Sequence, residues 1–297
     1  MQVSESSSST HTYTALLNTE IIDLYSLFKY MRIEKDDNSI KEYNKNIKYN
    51  ELDNTPESVH TMICSGSFGK YYRGYRASGS FKNSILCYVK YKNNLYHLKI
   101  FKNSITIIGM PNIRRAKDVV NVIIDEVNYI NEIIESVQEE RYDKIDDYLK
   151  YGYTTDELNE CSLITEEYLS IEDITCSMAN AYYTIQNIIP LDDIATALTI
   201  FDIDDNFTSD YDIPNSSWSS GEYKIMLLYE KLASSKLVIK ISLEEMNRTK
   251  KHKVIKYTIY KRGKVDQSSP NEKYNDIGYE IFKELIEYIN NVNIYQC

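Results

Sequence analysis

Residues 63–76, ICSGSFGKYYRGYR, form a glycine-rich basic stretch of the kind that closes over the phosphates of a nucleotide. A protein kinase needs small residues at all three positions of G-x-G-x-x-G, so that the backbone can approach the phosphates. Cys64 occupies the first of these positions, and only Gly66 and Gly69 remain. The sequence also has no H-R-D catalytic loop and no D-F-G metal-binding string, both of which a kinase requires. We therefore interpret the stretch as a basic hairpin and not as a nucleotide lid.

The charges of the chain are strongly segregated. The 34 Lys and Arg and 44 Asp and Glu give a formal net charge of −10. Ser58–Lys117 nevertheless contains eleven Lys and Arg and no acid, and Asn247–Lys264 contains eight more and no acid. Segregation of this kind lets one surface attract a polyanion although the whole protein is acidic. The alternative is that the basic strands only discourage aggregation between sheet edges.

The sequence lacks the patterns that mark several classes of protein. The five cysteines show no C-x-x-C spacing, which argues against a zinc site or a disulfide framework. No run of about 18 apolar residues predicts a membrane span, and the first residues lack the basic start and apolar stretch of a signal peptide. We expect no metal, no cofactor and no membrane partner, and a reduced intracellular location.

Two long amphipathic helices are predicted, over residues 114–137 and 274–291, because apolar residues recur in each with helical spacing. Each follows a basic segment rich in strand-forming residues, and each half of the chain also begins with a strand and a shorter helix. The order strand, helix, several strands, helix thus occurs twice, which indicates an internal duplication. We predict an α+β fold in which a flexible tail (1–10), a first repeat (11–137), an acidic linker (138–172) and a second repeat (173–297) with an acidic insertion (202–221) follow one another.

Strand periodicity divides the side chains of each repeat between two sheet faces. In YHLKIF, Leu98 and Ile100 share one side, which we expect to face the helices, while His97, Lys99 and Phe101 point the other way. The same reasoning, applied to the adjoining strand and to the second repeat, adds these residues to the side away from the helices: Thr106, Ile108, Lys256, Thr258 and Tyr260. An aromatic residue beside lysines on a polar strand face suits a surface that wedges between DNA bases. The alternative is an aromatic ring packed under a neighbouring loop.

The duplicated order resembles the TATA-box-binding protein family, including its relatives in large DNA viruses. The segment VKYKNNLYHLKIFKNSITIIGMPN resembles that family's basic strand, hairpin, strand ending in Phe, turn and strand before the long helix. In the second repeat KVIKYTIYKRGKVDQSSPN is similar, and its RGKV resembles the family's SGKV turn. The resemblance implies a saddle, in which one curved antiparallel sheet lies on the DNA minor groove and helices cover the convex side.

The resemblance also implies roles for particular residues. Lys90 and Lys240 match the family's phosphate-contacting position, and Asn180 matches its central Asn. Phe81 stands near a second wedge position, and the repeat with Lys90 is expected to dominate DNA contact. The implied interface is completed by further basic residues, Arg73, Arg76 and Lys264. The implied function is a monomeric transcription initiation factor that binds AT-rich promoter DNA or recruits RNA polymerase and other factors, without catalysis. Its expected location is the cytoplasm or nucleus of a host cell, or the virion.

Three positions favour a different function on the same fold. Ser84 and Ser234 occupy places where the family has a wedging Phe, and Asp266 lies where an acid would repel the phosphates. These residues favour a protein-docking scaffold that has kept the saddle and lost DNA binding. A third alternative, a nuclease or glycosylase, requires carboxylates near the basic face, and the two acid-free segments have none.

Overall fold

The computed structural model describes residues 1–4, 7–33, 41–42, 58–66, 69–74, 83–92, 94–141, 154–203, 223–245 and 253–294. It is an α+β chain of antiparallel sheet and helices that divides into two compact units. The first unit comprises Thr12–Thr175, and the second comprises Cys176–Cys297 together with Met1–His11. Within the described residues no helix is long and apolar enough to cross a membrane.

The first unit contains most of strand β2 and six further strands. In the described part of the unit the order across the sheet is β2-β8-β7-β6-β4-β5-β3, and the strand pairs from β3 to β8 are antiparallel. The elements are β2 Ser7–Leu17, α1 Leu24–Tyr30, β3 Lys41–Glu42, β4 Ser58–Gly66, β5 Gly69–Gly74, β6 Ser84–Tyr91, β7 Asn94–Ile100, β8 Ser104–Met110, α2 Ile113–Gln138 and α3 Thr155–Asn159.

Helix α2 covers one face of this sheet. Leu98 and Ile100 of β7 are fully buried, as are Ile105 and Ile107, which lie opposite them on β8. On the same face of β6 the Tyr91 hydroxyl donates a hydrogen bond of 3.1 Å to Asp118 of α2. The division of side chains that strand periodicity predicted for YHLKIF is therefore confirmed.

Both helices of this layer begin at a side-chain cap. The Asp23 carboxylate accepts from the backbone N–H groups of Tyr25 and Ser26 at the start of α1, and Asn112 accepts from the N–H of Arg115 at the start of α2. Such caps satisfy N–H groups that have no partner inside the helix. The predicted helix over 114–137 thus begins one residue earlier and ends one residue later.

Residues 154–172, predicted as part of an acidic linker over 138–172, belong to the core of the first unit. Leu158, Leu163 and Leu169 are fully buried. The amide of Asn128 on α2 donates to the Leu169 carbonyl at 2.9 Å and accepts from the Leu169 N–H at 2.7 Å. An acidic composition is typical of a solvated linker, but here the acidic residues are interspersed with the leucines that anchor the segment. Residues 142–153 lie outside the described residues.

The second unit has the strand order β10-β11-β12-β13-β9, with the short strand β1 also paired to β9. All of these pairs are antiparallel. The elements are β1 Gln2–Val3, β9 Ile171–Gln186, which enters this unit at Cys176, α4 Leu191–Ile203, β10 Tyr223–Ala233, β11 Lys236–Glu245, β12 Lys253–Tyr260, β13 Lys264–Ser269 and α5 Lys273–Ile294. Most of the predicted insertion over 202–221 lies outside the described residues.

Helix α5 packs on one face of this sheet through aromatic rings. Phe282 is fully buried and stacks on Tyr257 of β12 with ring centroids 5.0 Å apart. The Tyr257 hydroxyl donates a hydrogen bond of 2.8 Å to the Gly278 carbonyl of the helix. Tyr257 and Ile259 thus face the helix, as predicted, and the alternate residues of β12 lie on the other side of the sheet.

The turn between β12 and β13 requires glycine. Gly263 has φ +82°, a conformation that favours glycine, and an added Cβ would lie 2.3 Å from the Ile185 carbonyl oxygen. Its N–H donates to the Tyr260 carbonyl at 2.8 Å. The turn predicted at KRGK is therefore confirmed, and it sets the register in which β13 pairs with β12.

The first residues of the chain differ from the predicted flexible tail over 1–10. Gln2 and Val3 pair with β9, and the amino group of Met1 donates to Asn290 of α5 at 2.7 Å. The Tyr279 hydroxyl donates to the Ser4 carbonyl at 2.8 Å. The polar, serine-rich composition suggested disorder, but strand pairing uses the backbone and needs little from the side chains.

Candidate nucleic-acid interface

The outer face of each unit is here the side of its sheet opposite the helices. In the first unit the pairing of β7 with β8 places Lys99 opposite Thr106 and His97 opposite Ile108 on this face. The Thr106 hydroxyl lies 3.3 Å from that of Thr14 on β2, so the residues of β2 with the same parity also lie there. One of them, Leu16, is 44% exposed.

Phe101 lies directly after β7 and continues this face. Its N–H donates to the Ser104 carbonyl at 2.8 Å across the turn into β8, and its side chain is half-buried. Lys99 is likewise half-buried, and desolvation lowers the pKa of its ammonium group. The outer-face residues described around this turn of the first unit therefore combine a half-buried cation with hydroxyls and apolar side chains.

Lys90 occupies a different environment from the one that the resemblance implied. It lies on the outer face of β6, opposite Leu95, but it is only 7% exposed. Ser84 and Leu86 on the same face of β6 are also buried, at 1% and 2%. The expectation that the repeat with Lys90 offers the main cationic contact is therefore not supported by its burial.

Three other predicted residues in this region receive no side-chain description. Arg73 lies in β5, where its backbone is in register with Met62 of β4. Arg76 and Phe81 lie outside the described residues.

The second unit places more exposed lysines on its outer face. Lys240 of β11 lies directly opposite Lys256 of β12, and both are exposed. Lys236 lies opposite Tyr260 at the end of the same strand pair, and it is exposed as well. Among the outer-face residues whose side chains the structure describes, the exposed lysines therefore lie in the second unit.

Asn180 and its neighbours extend this outer face to β9. Lys256 lies opposite Ser268 of β13, and Ser268 lies opposite Asn180. The Ser268 hydroxyl donates to the Asn180 side-chain oxygen at 2.8 Å. Lysines, a serine and an asparagine thus form one row across the sheet, which offers donors to an anion and both donors and acceptors to a base edge.

Asp266 lies among these residues and is neutralised locally. Its carboxylate accepts a hydrogen bond of 3.0 Å from the Tyr260 hydroxyl and lies 2.9 Å from the Lys264 ammonium. The Lys264 nitrogen also lies 5.3 Å from the ring centre of Tyr182 and 5.6 Å from that of Tyr260. The hydrogen bond to Asp266 raises the pKa of both Tyr260 and Lys264. Thr258, opposite Asp266, is almost buried at 9% exposure.

The registers show that Lys90 and Lys240 are not equivalent positions. Ser84 is the first residue of β6 and directly precedes the Ile85–Ile100 pair. Lys236 is the first residue of β11 and directly precedes the Leu237–Ile259 pair, so Ser84 and Lys236 occupy corresponding positions. Counting along the strands from there, Tyr88 corresponds to Lys240. In the same count Lys90 corresponds to Ser242, and both are buried. The resemblance assigned Lys90 and Lys240 to one position of the two repeats, and this alignment is displaced by two residues from the one that the registers give.

Several residues of the outer faces were not predicted from the sequence. They are Leu16, Tyr88, Met178 and Lys236. The parity of SILCYVKY places Tyr88 beside Lys90, and the parity of β9 places Met178 beside Asn180, so strand periodicity contained this information.

Comparisons with known proteins do not identify a relative. Within the part of the chain that the structure describes, no group of three or more His, Cys, Asp or Glu residues is arranged to hold a metal ion. No family model matches the chain, and no curated protein is significantly similar to it.

Proposed function

We propose that the chain binds duplex DNA through the outer faces of its two units, as a transcription initiation factor of the TATA-box-binding type. In this proposal the two repeats contribute to one saddle-shaped surface on the minor groove of AT-rich promoter DNA. The protein is a binding module without catalysis, and it recruits RNA polymerase or other factors to the promoter.

The observation that carries the proposal is the pair Lys240 and Lys256. Like charges directly opposite each other on a sheet repel and destabilise the strand pair. Both ammonium groups lie on an exposed polar face, away from the helices. Two lysines in this position attract a phosphate backbone, and its binding releases condensed counterions.

The apolar members of the outer faces support a minor-groove partner. Leu16 is 44% exposed and Met178 is 43% exposed, although each lies on a strand among polar residues. Phe101 and Ile108 add half-buried apolar surface in the first unit. Minor-groove proteins use such side chains against the groove floor and between base steps, where few hydrogen bonds distinguish one base pair from another.

The similar organisation of the two units supports the duplicated fold. In each, the first strand lies beside the last, and the two strands that precede the last follow it in reverse chain order: β2-β8-β7-β6 in the first unit and β9-β13-β12-β11 in the second. The first unit departs from this order beyond β6, where β4 precedes β5 and β3. In each, a long helix follows the last strand directly: α2 after β8, and α5 after β13. This order is the one that the resemblance to the TATA-box-binding family implies.

A protein-docking scaffold is the second candidate, and Asp266 is the observation that favours it. A carboxylate on the outer face repels phosphates. The same carboxylate attracts the basic residues of a protein partner. Under this alternative the chain binds a protein partner and shows no salt-sensitive affinity for DNA.

Binding of a labelled AT-rich duplex over a salt series tests the proposal. We expect the logarithm of the association constant to fall linearly with the logarithm of salt between about 50 and about 200 mM, with a slope set by the phosphates contacted. We also expect weaker binding to a GC-rich duplex of equal length, because groove width and deformability differ. Absence of binding at low salt, or a slope near zero, would exclude the proposal and favour the scaffold.

A further inference from the structure

The Asp266 carboxylate holds two groups that a DNA-binding surface would otherwise offer to its partner. It lies 2.9 Å from the Lys264 ammonium and accepts from the Tyr260 hydroxyl at 3.0 Å. The side chain of Lys264 is 60% exposed and that of Asp266 is 28% exposed. The ion pair therefore lies at the surface, where breaking it has a small energetic cost.

The geometry around Lys264 fixes the direction of its side chain. Its nitrogen lies within 6 Å of the rings of both Tyr182 and Tyr260, so two aromatic rings and one carboxylate surround the ammonium. A lysine held in this way contributes less charge to an approaching phosphate than a solvated lysine does. Asp266 thus neutralises the charge of one lysine on the outer face. It also restrains the ring of Tyr260 at the end of β12, through the hydrogen bond from the Tyr260 hydroxyl.

The first unit has no acid at the corresponding place. Asp266 lies opposite Thr258, and the equivalent pair in the first unit is Thr106 opposite Lys99. The hydroxyl of Thr106 lies 3.3 Å from that of Thr14, with no carboxylate in this contact. The two outer faces therefore differ at this position by a formal charge of one.

We propose that Asp266 is a negative determinant of DNA affinity, which holds Lys264 and Tyr260 away from the phosphates and the bases until the ion pair opens. This inference rests on the proposed function. It predicts that the second unit binds DNA less tightly than its exposed lysines alone would allow. It also assigns Tyr260 a tethered position, whereas Phe101 has no hydroxyl through which it could be held in this way.

Replacement of Asp266 by the isosteric Asn tests the inference. We expect Asp266→Asn to bind an AT-rich duplex about fivefold more tightly than the wild type near physiological salt, since an exposed ion pair opposes the release of its lysine only weakly. We also expect its salt slope to steepen by about 0.9, as one more lysine contacts a phosphate. The double variant Asp266→Asn with Lys264→Gln is expected to lose this gain in both affinity and slope.

A transplanted acid provides the reciprocal experiment. Thr106→Asp places a carboxylate at the equivalent position of the first unit, and we expect it to weaken DNA binding about fivefold. Asp266→Ser serves as a second neutral variant in case the Asn side chain disturbs the sheet, and circular dichroism of each variant checks its folding.

The outcomes separate this inference from the proposed function. Salt-sensitive binding by the wild type with no gain in Asp266→Asn and Asp266→Ser would overturn the role of Asp266 and leave the proposed function standing. Binding by the neutral variants but not by the wild type would support the inhibitory effect of Asp266 and would exclude DNA binding as the function of the unmodified chain. A gain that persists when Lys264 is also replaced would overturn the role of Asp266, because the gain would then not come from a released lysine. Absence of binding in all of these proteins would overturn both.

Discussion

Tyr88 and His97 stack across β6 and β7 of the first unit, with ring centroids 5.0 Å apart and ring planes 4° from parallel. The stack lies on the outer face, in the row that also contains Ile108. Burial of the imidazole, and then the nearby Lys99 ammonium, lower the pKa of His97. The neutral imidazole is therefore the form that the folded protein stabilises.

We predict that His97 makes the folded protein less stable in mild acid. Its pKa is lower in the folded state than in the unfolded state, so the unfolded chain binds the extra proton and stability rises with pH. The stability that the neutral imidazole provides is complete above the unfolded pKa of about 6.5, and it is lost progressively as the pH falls below that pKa. Urea unfolding of the wild type and His97→Gln between about pH 8 and about pH 5 measures this, and the variant should lose less stability over that range. Parallel pH profiles would contradict the lowered pKa.

The lysine pair of the second unit yields a prediction on salt dependence. Lys240→Gln combined with Lys256→Gln should reduce the slope of log affinity against log salt by about 1.8, if each contacts one phosphate. The matched control is Arg114→Gln combined with Lys117→Gln, which removes two exposed charges from α2. The control leaves the outer face intact, so its slope should stay close to that of the wild type. Equal loss in the two double variants would show that only net charge matters.

Strand periodicity predicted the faces of the sheets well because alternation is a property of every strand. The position of Leu98 and Ile100 on one side of the sheet, and of Lys99 and Thr106 on the other, follows from parity alone. Which of the outer-face residues reach solvent did not follow. Lys90 and Lys240 both lie on outer faces, but Lys90 is buried and Lys240 is exposed, and tertiary packing decides between these environments.

Sequence similarity aligned the two repeats less accurately than strand periodicity assigned the faces of the sheets. Lys90 and Lys240 share similar neighbours in sequence, but cross-strand pairing makes Tyr88 the counterpart of Lys240. A shift of two residues preserves the parity of a strand, so periodicity alone does not detect it. The partnership between Asp266 and Lys264 was missed for a related reason: residues two apart on one strand lie on the same face, and only the repulsion of the acid was considered.

The segment that follows α2 should depend on Asn128 for its attachment. Asn128→Ala would leave the backbone N–H and carbonyl of Leu169 without their partner in a buried place. We expect a loss of about 2–3 kcal/mol in the free energy of unfolding. Faster proteolysis and hydrogen exchange within residues 154–170 should accompany it. Asn121→Ala on the same helix is the control, and its free energy of unfolding should change little. An unchanged exchange rate in Asn128→Ala would show that the buried leucines hold the segment without the amide.

Gly278 of α5 yields a prediction whose sign opposes helix propensity. Alanine stabilises an exposed helical position by about 1 kcal/mol relative to glycine. At Gly278, however, an added Cβ would lie 2.5 Å from the side-chain nitrogen of Gln267. That amide is fully buried, and it donates to Ser269 and to the Asn275 carbonyl while accepting from the Tyr183 hydroxyl.

Because Gln267 is held by three hydrogen bonds, it does not move aside without losing at least one of them. Gly278→Ala should therefore destabilise the protein by about 1–3 kcal/mol in urea unfolding, as overpacking does. Asn291→Ala, at an exposed position of the same helix, should be neutral or slightly stabilising. If Gly278→Ala instead stabilises the protein to the same degree as this control, the Gln267 network is not rigid, and the close approach of α5 to β13 does not require a glycine.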